Sequence, residues 1–244
     1  MQQSDNPSLS KSVLERISAA EDTKTATITG TSLKILFLLL LTVGAGYFGW
    51  QAMSSASTSA IVTIAGFSIV AIVAAVVTAF KPTWAMFTGP IYALAQGFVM
   101  GAISQVYNAQ FNGIVVQAIG LTGAIFFVSL WAFWLGLIKV TNKFRIGVVI
   151  ATLGVGLYYL IAFILSLFGV TAPLIFDTGT FGIIFSVVVV FIATLNLFLD
   201  FDFIQQAEAS KMPKVFEWYG AFALMVTLIW LYIETLRLIG KTRS

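Results

Sequence analysis

Seven apolar runs restrict what this chain can fold into more than anything else in it. They cover approximately Leu33-Trp50, Ala60-Phe80, Trp84-Tyr107, Ile114-Ile138, Ile146-Phe168, Phe181-Ile204 and Phe216-Ile239. Runs of roughly 18 apolar residues or more separate a membrane span from a buried core helix. At about 1.5 Å per residue each crosses a hydrocarbon layer about 30 Å thick, the first only just. The expectation is an all-α integral membrane protein of seven transmembrane helices. Residues 1-32 form a polar tail, 33-240 the membrane domain and 241-244 a short C-terminal tail. Composition agrees, since only 9% of the residues are charged, against about 25% in an ordinary soluble domain.

The breaks between the runs are turn-like. Ser and Thr crowd 54-59, Lys81-Pro82 forbids a continuous helix, Asn108 to Gly113 is polar and 139-145 is basic. Pro173 and Gly179 bracket the fifth break and Lys211 to Lys214 the sixth. The tail lacks the apolar core of a secretory signal. It is expected to be solvated, with at most a transient amphipathic helix from Ser10 to Ala20.

Basic residues test the topology separately. Lys11, Arg16, Lys24 and Lys34 lie in or beside the tail, and Lys81, Lys139, Lys143, Arg145, Lys211 and Lys214 in the second, fourth and sixth connections; the other three connections hold none. The positive-inside rule then places the N-terminus in the cytoplasm. Arg237, Lys241 and Arg243 end the chain and conflict with that rule if the last segment spans. A re-entrant last segment would remove the conflict, but its length favours spanning.

With no Cys and no His, the chain has no thiol nucleophile and no imidazole base, and an enzyme is not expected. A net charge of +3 is too small and scattered to suggest nucleic acid.

Within the runs, ionisable groups stand out, because one at membrane depth is costly and by default a functional hypothesis. No charge lies between Asp177 and Asp200; then Asp200 and Asp202 arrive together in Asn196-Leu-Phe-Leu-Asp-Phe-Asp-Phe-Ile-Gln205. On a helix Asn196 and Asp200 share a face, whereas Asp202 lies about 200° round from Asp200. Asp200 is therefore the acid expected to face the bundle, with Asp202 reaching for water or for Lys211 and Lys214. Thr227 and Glu234 are two turns apart on one face of the last run. Either they lie along a water-accessible line leading to Asp200, or Glu234 pairs with Arg237 at i+3. Gln96 sits in mid-span and is expected to hydrogen-bond a neighbouring helix or line a cavity. Gly97-Phe-Val-Met-Gly101 permits close helix approach, more for internal packing than for dimerisation, and Pro90 is expected to kink its helix.

Three stretches together resemble the Bax inhibitor-1, or transmembrane Bax inhibitor motif, family, in particular its bacterial YccA-like branch. They are Ala95-Gln-Gly-Phe-Val-Met-Gly-Ala-Ile-Ser104 with Gly113-Ile-Val-Val-Gln-Ala118, then Asp200-Phe-Asp-Phe-Ile204, then Glu217-Trp-Tyr-Gly-Ala-Phe-Ala-Leu224 with Trp230-Leu-Tyr-Ile-Glu-Thr-Leu-Arg-Leu-Ile-Gly240. The resemblance implies that the last helix is central and wrapped by the other six. It also implies a calcium leak gated by pH through an aspartate on the sixth helix and a second on the seventh. Asp200 matches the first; the second falls at Thr227. The family's basic partner near the second helix has only Lys81 as a distant stand-in, and its Glu before Gly97 is Gln96.

Two functions follow. One is a pH-sensitive cation leak in a bacterial inner membrane, serving ion homeostasis or stress survival, with Asp200 as gate or calcium contact and Glu234 as outer attractor. The other is a non-conducting regulator of a membrane quality-control protease, acting through tail and helix surfaces. No cofactor is expected beyond transported or bound calcium, and the chain is expected to be a monomer or weak homo-oligomer in the lipid bilayer.

Overall fold

A computed structural model describes residues 25–54, 58–169, 174–175 and 177–244. Seven long helices fill it: α1 (Ile28–Ser54), α2 (Thr58–Phe80), α3 (Ala85–Gln110), α4 (Ile114–Trp134), α5 (Asn142–Leu167), α6 (Thr180–Ala209) and α7 (Val215–Arg243). A 3-10 turn, Pro82–Trp84, joins α2 to α3. All seven helices are long and apolar enough to cross a membrane, and the chain is a multi-pass helical membrane protein. The helix weighed for Ser10 to Ala20 lies outside the described residues.

Helix ends depart from the apolar runs where polar chemistry overrides hydropathy. α1 begins before Leu33 because Thr27 caps it, its Oγ1 accepting from the Gly30 N–H at 2.9 Å. Residues 28–32 are therefore helix, not tail. α4 stops at Trp134 although the apolar run continues to Ile138. Gly136 takes φ 67°, the Gly136 N–H bonds the Phe133 carbonyl and the Leu137 N–H that of Ala132, a Schellman closure. At the other end of the chain α7 runs on to Arg243, so 241–243 belong to the last helix.

Small residues set the tightest contact. A Cβ on Gly101 would lie 1.8 Å from the Gly46 carbonyl oxygen, one on Gly97 2.4 Å from that of Thr42, and one on Gly49 1.9 Å from that of Phe98. The Gly97–Gly101 spacing thus serves packing of α3 on α1 inside the monomer. α3 and α7 are the most buried helices. α7 packs chiefly on α1, α3, α4 and α6, whereas α2 lies mainly on α3 and α5 mainly on α6. The close neighbours of α7 are thus four helices, with α5 reaching it through Tyr159.

α7 traverses the bundle. Its start meets the segment before α1: the Ala26 N–H donates to the Met212 carbonyl at 2.7 Å. Its far end meets the opposite connections, Lys241 Nζ donating to the carbonyls of Leu174 and Gly182 and Arg243 Nη1 to that of Asn112. Re-entry is excluded by this geometry, and two of the conflicting cations are held by backbone carbonyls.

Candidate functional site

Asp200 projects from α6 towards α7. Its Oδ2 is enclosed and has no hydrogen-bond partner among the described residues, while the carboxyl lies within hydrogen-bonding reach of the Thr227 hydroxyl. Thr227 Oγ1 is also 3.3 Å from the Ala223 carbonyl, and its single proton serves one acceptor at a time. Tyr219, on the same helix, lies close enough to feel the Asp200 charge. The structure therefore brings Asp200 and Thr227 together, as the sequence pattern suggests.

The other candidates go elsewhere. Asn196 shares Asp200's helix face but turns its amide to Thr152 Oγ1 at 2.8 Å, in α5, and to the Ile192 carbonyl. Asp202 pairs with Arg145 at 2.6 Å and accepts from Gln206, not from Lys211 or Lys214; the helix carries it towards α5, away from the α6–α7 turn. Lys81 lies exposed, its ammonium 4.7 Å from the Trp84 ring centre, and is no partner of Asp200. Gln96 is half-buried and makes no side-chain hydrogen bond among the described residues. A groove of about 640 Å³ between α2 and α3, lined by Val73, Val77, Trp84, Phe87 and their neighbours, is apolar and contains no acid.

Glu234 is 1% exposed and belongs to a separate cluster. Arg237 Nη1 reaches its two oxygens at 3.1 and 3.0 Å, Tyr159 Oη donates to it at 2.8 Å, and the same guanidinium donates to Tyr159 Oη at 2.6 Å. The charge is matched, so Glu234 is not a free outer attractor for cations. The water-accessible line from Thr227 to Glu234 is absent as well. Leu231, on the same α7 face between them, is fully buried in a cluster with Leu197, Ala193 and Leu228.

Two features escape the sequence pattern. Glu217 is 2% exposed and pairs with Lys34 of α1. It also accepts from the N–H and hydroxyl of Thr27, both at 3.0 Å. With Glu208 accepting from the Ile28 N–H at 2.9 Å, it fastens the segment before α1 onto α6 and α7. The second feature is a stripe on α5: Arg145, Thr152 and Tyr159 are seven residues apart, and each engages a candidate, Asp202, Asn196 and Glu234 in turn. Heptad spacing of polar groups within an apolar run was the available signal.

Among the described residues no group of three or more metal-ligating side chains occurs, and calcium takes about 6–8 oxygens. Asp200 with Thr227 supplies too few oxygens for such a shell.

Fold and site define a seven-helix membrane protein with an enclosed acid between its last two helices. The family model described as Bax inhibitor 1 like matches residues 6–244, and the chain belongs to that family. No curated protein and no solved structure matches it.

Proposed function

We propose that this chain is a pH-sensitive cation leak pathway, calcium being the transported ion, with Asp200 as its gate. On this reading it lies in a bacterial inner membrane with the N-terminus cytoplasmic, and serves ion homeostasis or stress survival. The observation that carries the proposal is the Asp200 carboxyl, whose enclosed oxygen faces the bundle without a partner. A polar group left unsatisfied away from water is costly, and such a group in a native fold calls for a role. An ionised carboxylate offers a dehydrated cation compensating charge; protonation withdraws it. With Thr227 in place of a second acid, one proton on one carboxyl sets the site's charge. Beyond it Leu197 and Leu231 are buried in an apolar cluster; on this reading that cluster is the closed constriction, the kind of element that gates by excluding water.

Calcium uptake into liposomes carrying the purified protein tests this directly. Uptake above protein-free vesicles is expected, and its absence at all pH values contradicts it.

A second reading, the non-conducting regulator of a membrane protease, is favoured by a different observation. Glu234 is locked to Arg237, and the segment leading out of the tail is strapped to α7 by Glu217, which suits display of the tail to a partner. Deleting residues 1–24 leaves the strap intact. On the leak reading uptake persists in that variant; on the regulator reading there is no uptake to lose and the effect on the partner disappears.

A further inference from the structure

α5 is held differently from the other helices. Its buried residues are Val148, Val155 and Ala162, and Arg145, Thr152 and Tyr159 lie between and before them at alternating steps of three and four. That is the narrow two-position seam of a coiled coil, with small apolar residues in one position and polar residues in the other. The apolar half is short-chained and covers little. Its span is 17% buried, as little as those of α1 and α2, against 56% for α3 and for α7. Nor do its glycines mediate close contact: a Cβ on Gly147, Gly154 or Gly156 would meet nothing within 4 Å. The polar half ties α5 to α6 and α7, Arg145 on Asp202, Thr152 on Asn196 and Tyr159 on Glu234, beside one aromatic contact in which Tyr158 and Tyr159 pack on Phe185. Interhelical hydrogen bonds in membranes are individually weak, because the separated helices find other partners.

We propose that Arg145, Thr152 and Tyr159 are gate residues of the pathway, closing it from α5 by occupying Asp202, Asn196 and Glu234, and that displacement of α5 opens it. The proposal rests on the leak reading for its purpose, and concerns the regulation of that same site. In the closed position the two guanidiniums, Arg145 at one end and Arg237 at the other, neutralise the acids and repel cations. Release of α5 takes Thr152 from Asn196 and Arg145 from Asp202, an amide and a carboxylate about one and two-thirds helical turns apart on α6, on either side in sequence of Asp200, which faces α7; it also takes the Tyr159 hydroxyl away from Glu234.

The absence of native Cys makes the test clean. Thr152→Val removes the middle hydrogen bond with little change of shape. Uptake of calcium by liposomes is expected to rise several-fold in this variant. In parallel, Val155→Cys, a buried seam position, is labelled with a small water-soluble maleimide in the wild-type and Thr152→Val backgrounds, with Ala71→Cys on α2, 1% exposed and packed in a different cluster, as the fixed reference. Labelling of position 155 is expected to speed up several-fold with Thr152→Val while position 71 is unaffected. Unchanged labelling at 155 overturns the inference whether or not the protein conducts. Faster labelling without calcium uptake in any variant supports a mobile α5 and contradicts the leak reading instead. Faster labelling with unaltered uptake shows that α5 moves but is not the gate, and also overturns it.

Discussion

Breaking the Lys34–Glu217 pair by removing the acid's charge strands a cation against a buried wall, a loss of about 3–5 kcal/mol for an enclosed ion pair. Glu217→Gln is therefore expected to lower the thermal midpoint of the purified protein in detergent markedly. The double variant Lys34→Met/Glu217→Leu, with no charge left to strand, should recover most of the loss. A midpoint unchanged by Glu217→Gln would show that the strap is not holding α1 to α7. In the sequence Glu217 reads as an ordinary first-turn acid, because its partner is 183 positions away. Asp200 was legible for the opposite reason, a charge closing a long uncharged run, whereas its place opposite Thr227 came from the family resemblance and not from helix geometry. Asp202 shows the limit: the two lysines near it in sequence suggested themselves, and the partner is Arg145 on another helix.

At the scale of the element, helix number was written in hydropathy, and helix ends were not. The Schellman closure at Gly136 and the Thr27 cap depend on single hydrogen-bonding groups that an apolar average does not register. The α1–α3 contact was half legible: the Gly97–Gly101 spacing announces close approach, but its counterpart is formed by Thr42, Gly46 and Gly49, which the run Leu33-Trp50 conceals among other small residues. Gly101→Leu drives a side chain into the Gly46 backbone, and backbone cannot rotate aside, so a loss of about 3 kcal/mol is expected, at the upper end of the overpacking range. Gly44, where a Cβ meets nothing within 4 Å, supplies the comparison. Gly44→Ala should be neutral or stabilise by about 0.5–1 kcal/mol through helix propensity. Unfolding in detergent separates the two, and equal effects would mean that α1 and α3 do not approach as closely as described.

Across the described residues, the charged contacts gather at two levels joined by α7. At the end that receives the N-terminal segment are the Asp200–Thr227, Asp202–Arg145 and Glu217–Lys34 contacts. At the other are Glu234, Arg237 and Tyr159, with Lys241 bonded to carbonyls of the neighbouring connection. Between the levels Leu197 and Leu231 are fully buried, and the Asn196–Thr152 bond joins α6 to α5. Of the acids named in the two clusters and the strap, only Asp200 holds an enclosed oxygen without a partner, which separates it from acids that the fold uses as ties. The account stands on that distinction. Its most direct test is calcium uptake by liposomes bearing Asp200→Asn beside wild type, measured across pH 5 to 8 or so, the range in which protonation of perturbed side chains is commonly seen. Asn keeps the shape and removes both the charge and the titration. Uptake that falls at least several-fold and no longer varies with pH is the predicted result; uptake and pH dependence equal to wild type would contradict it.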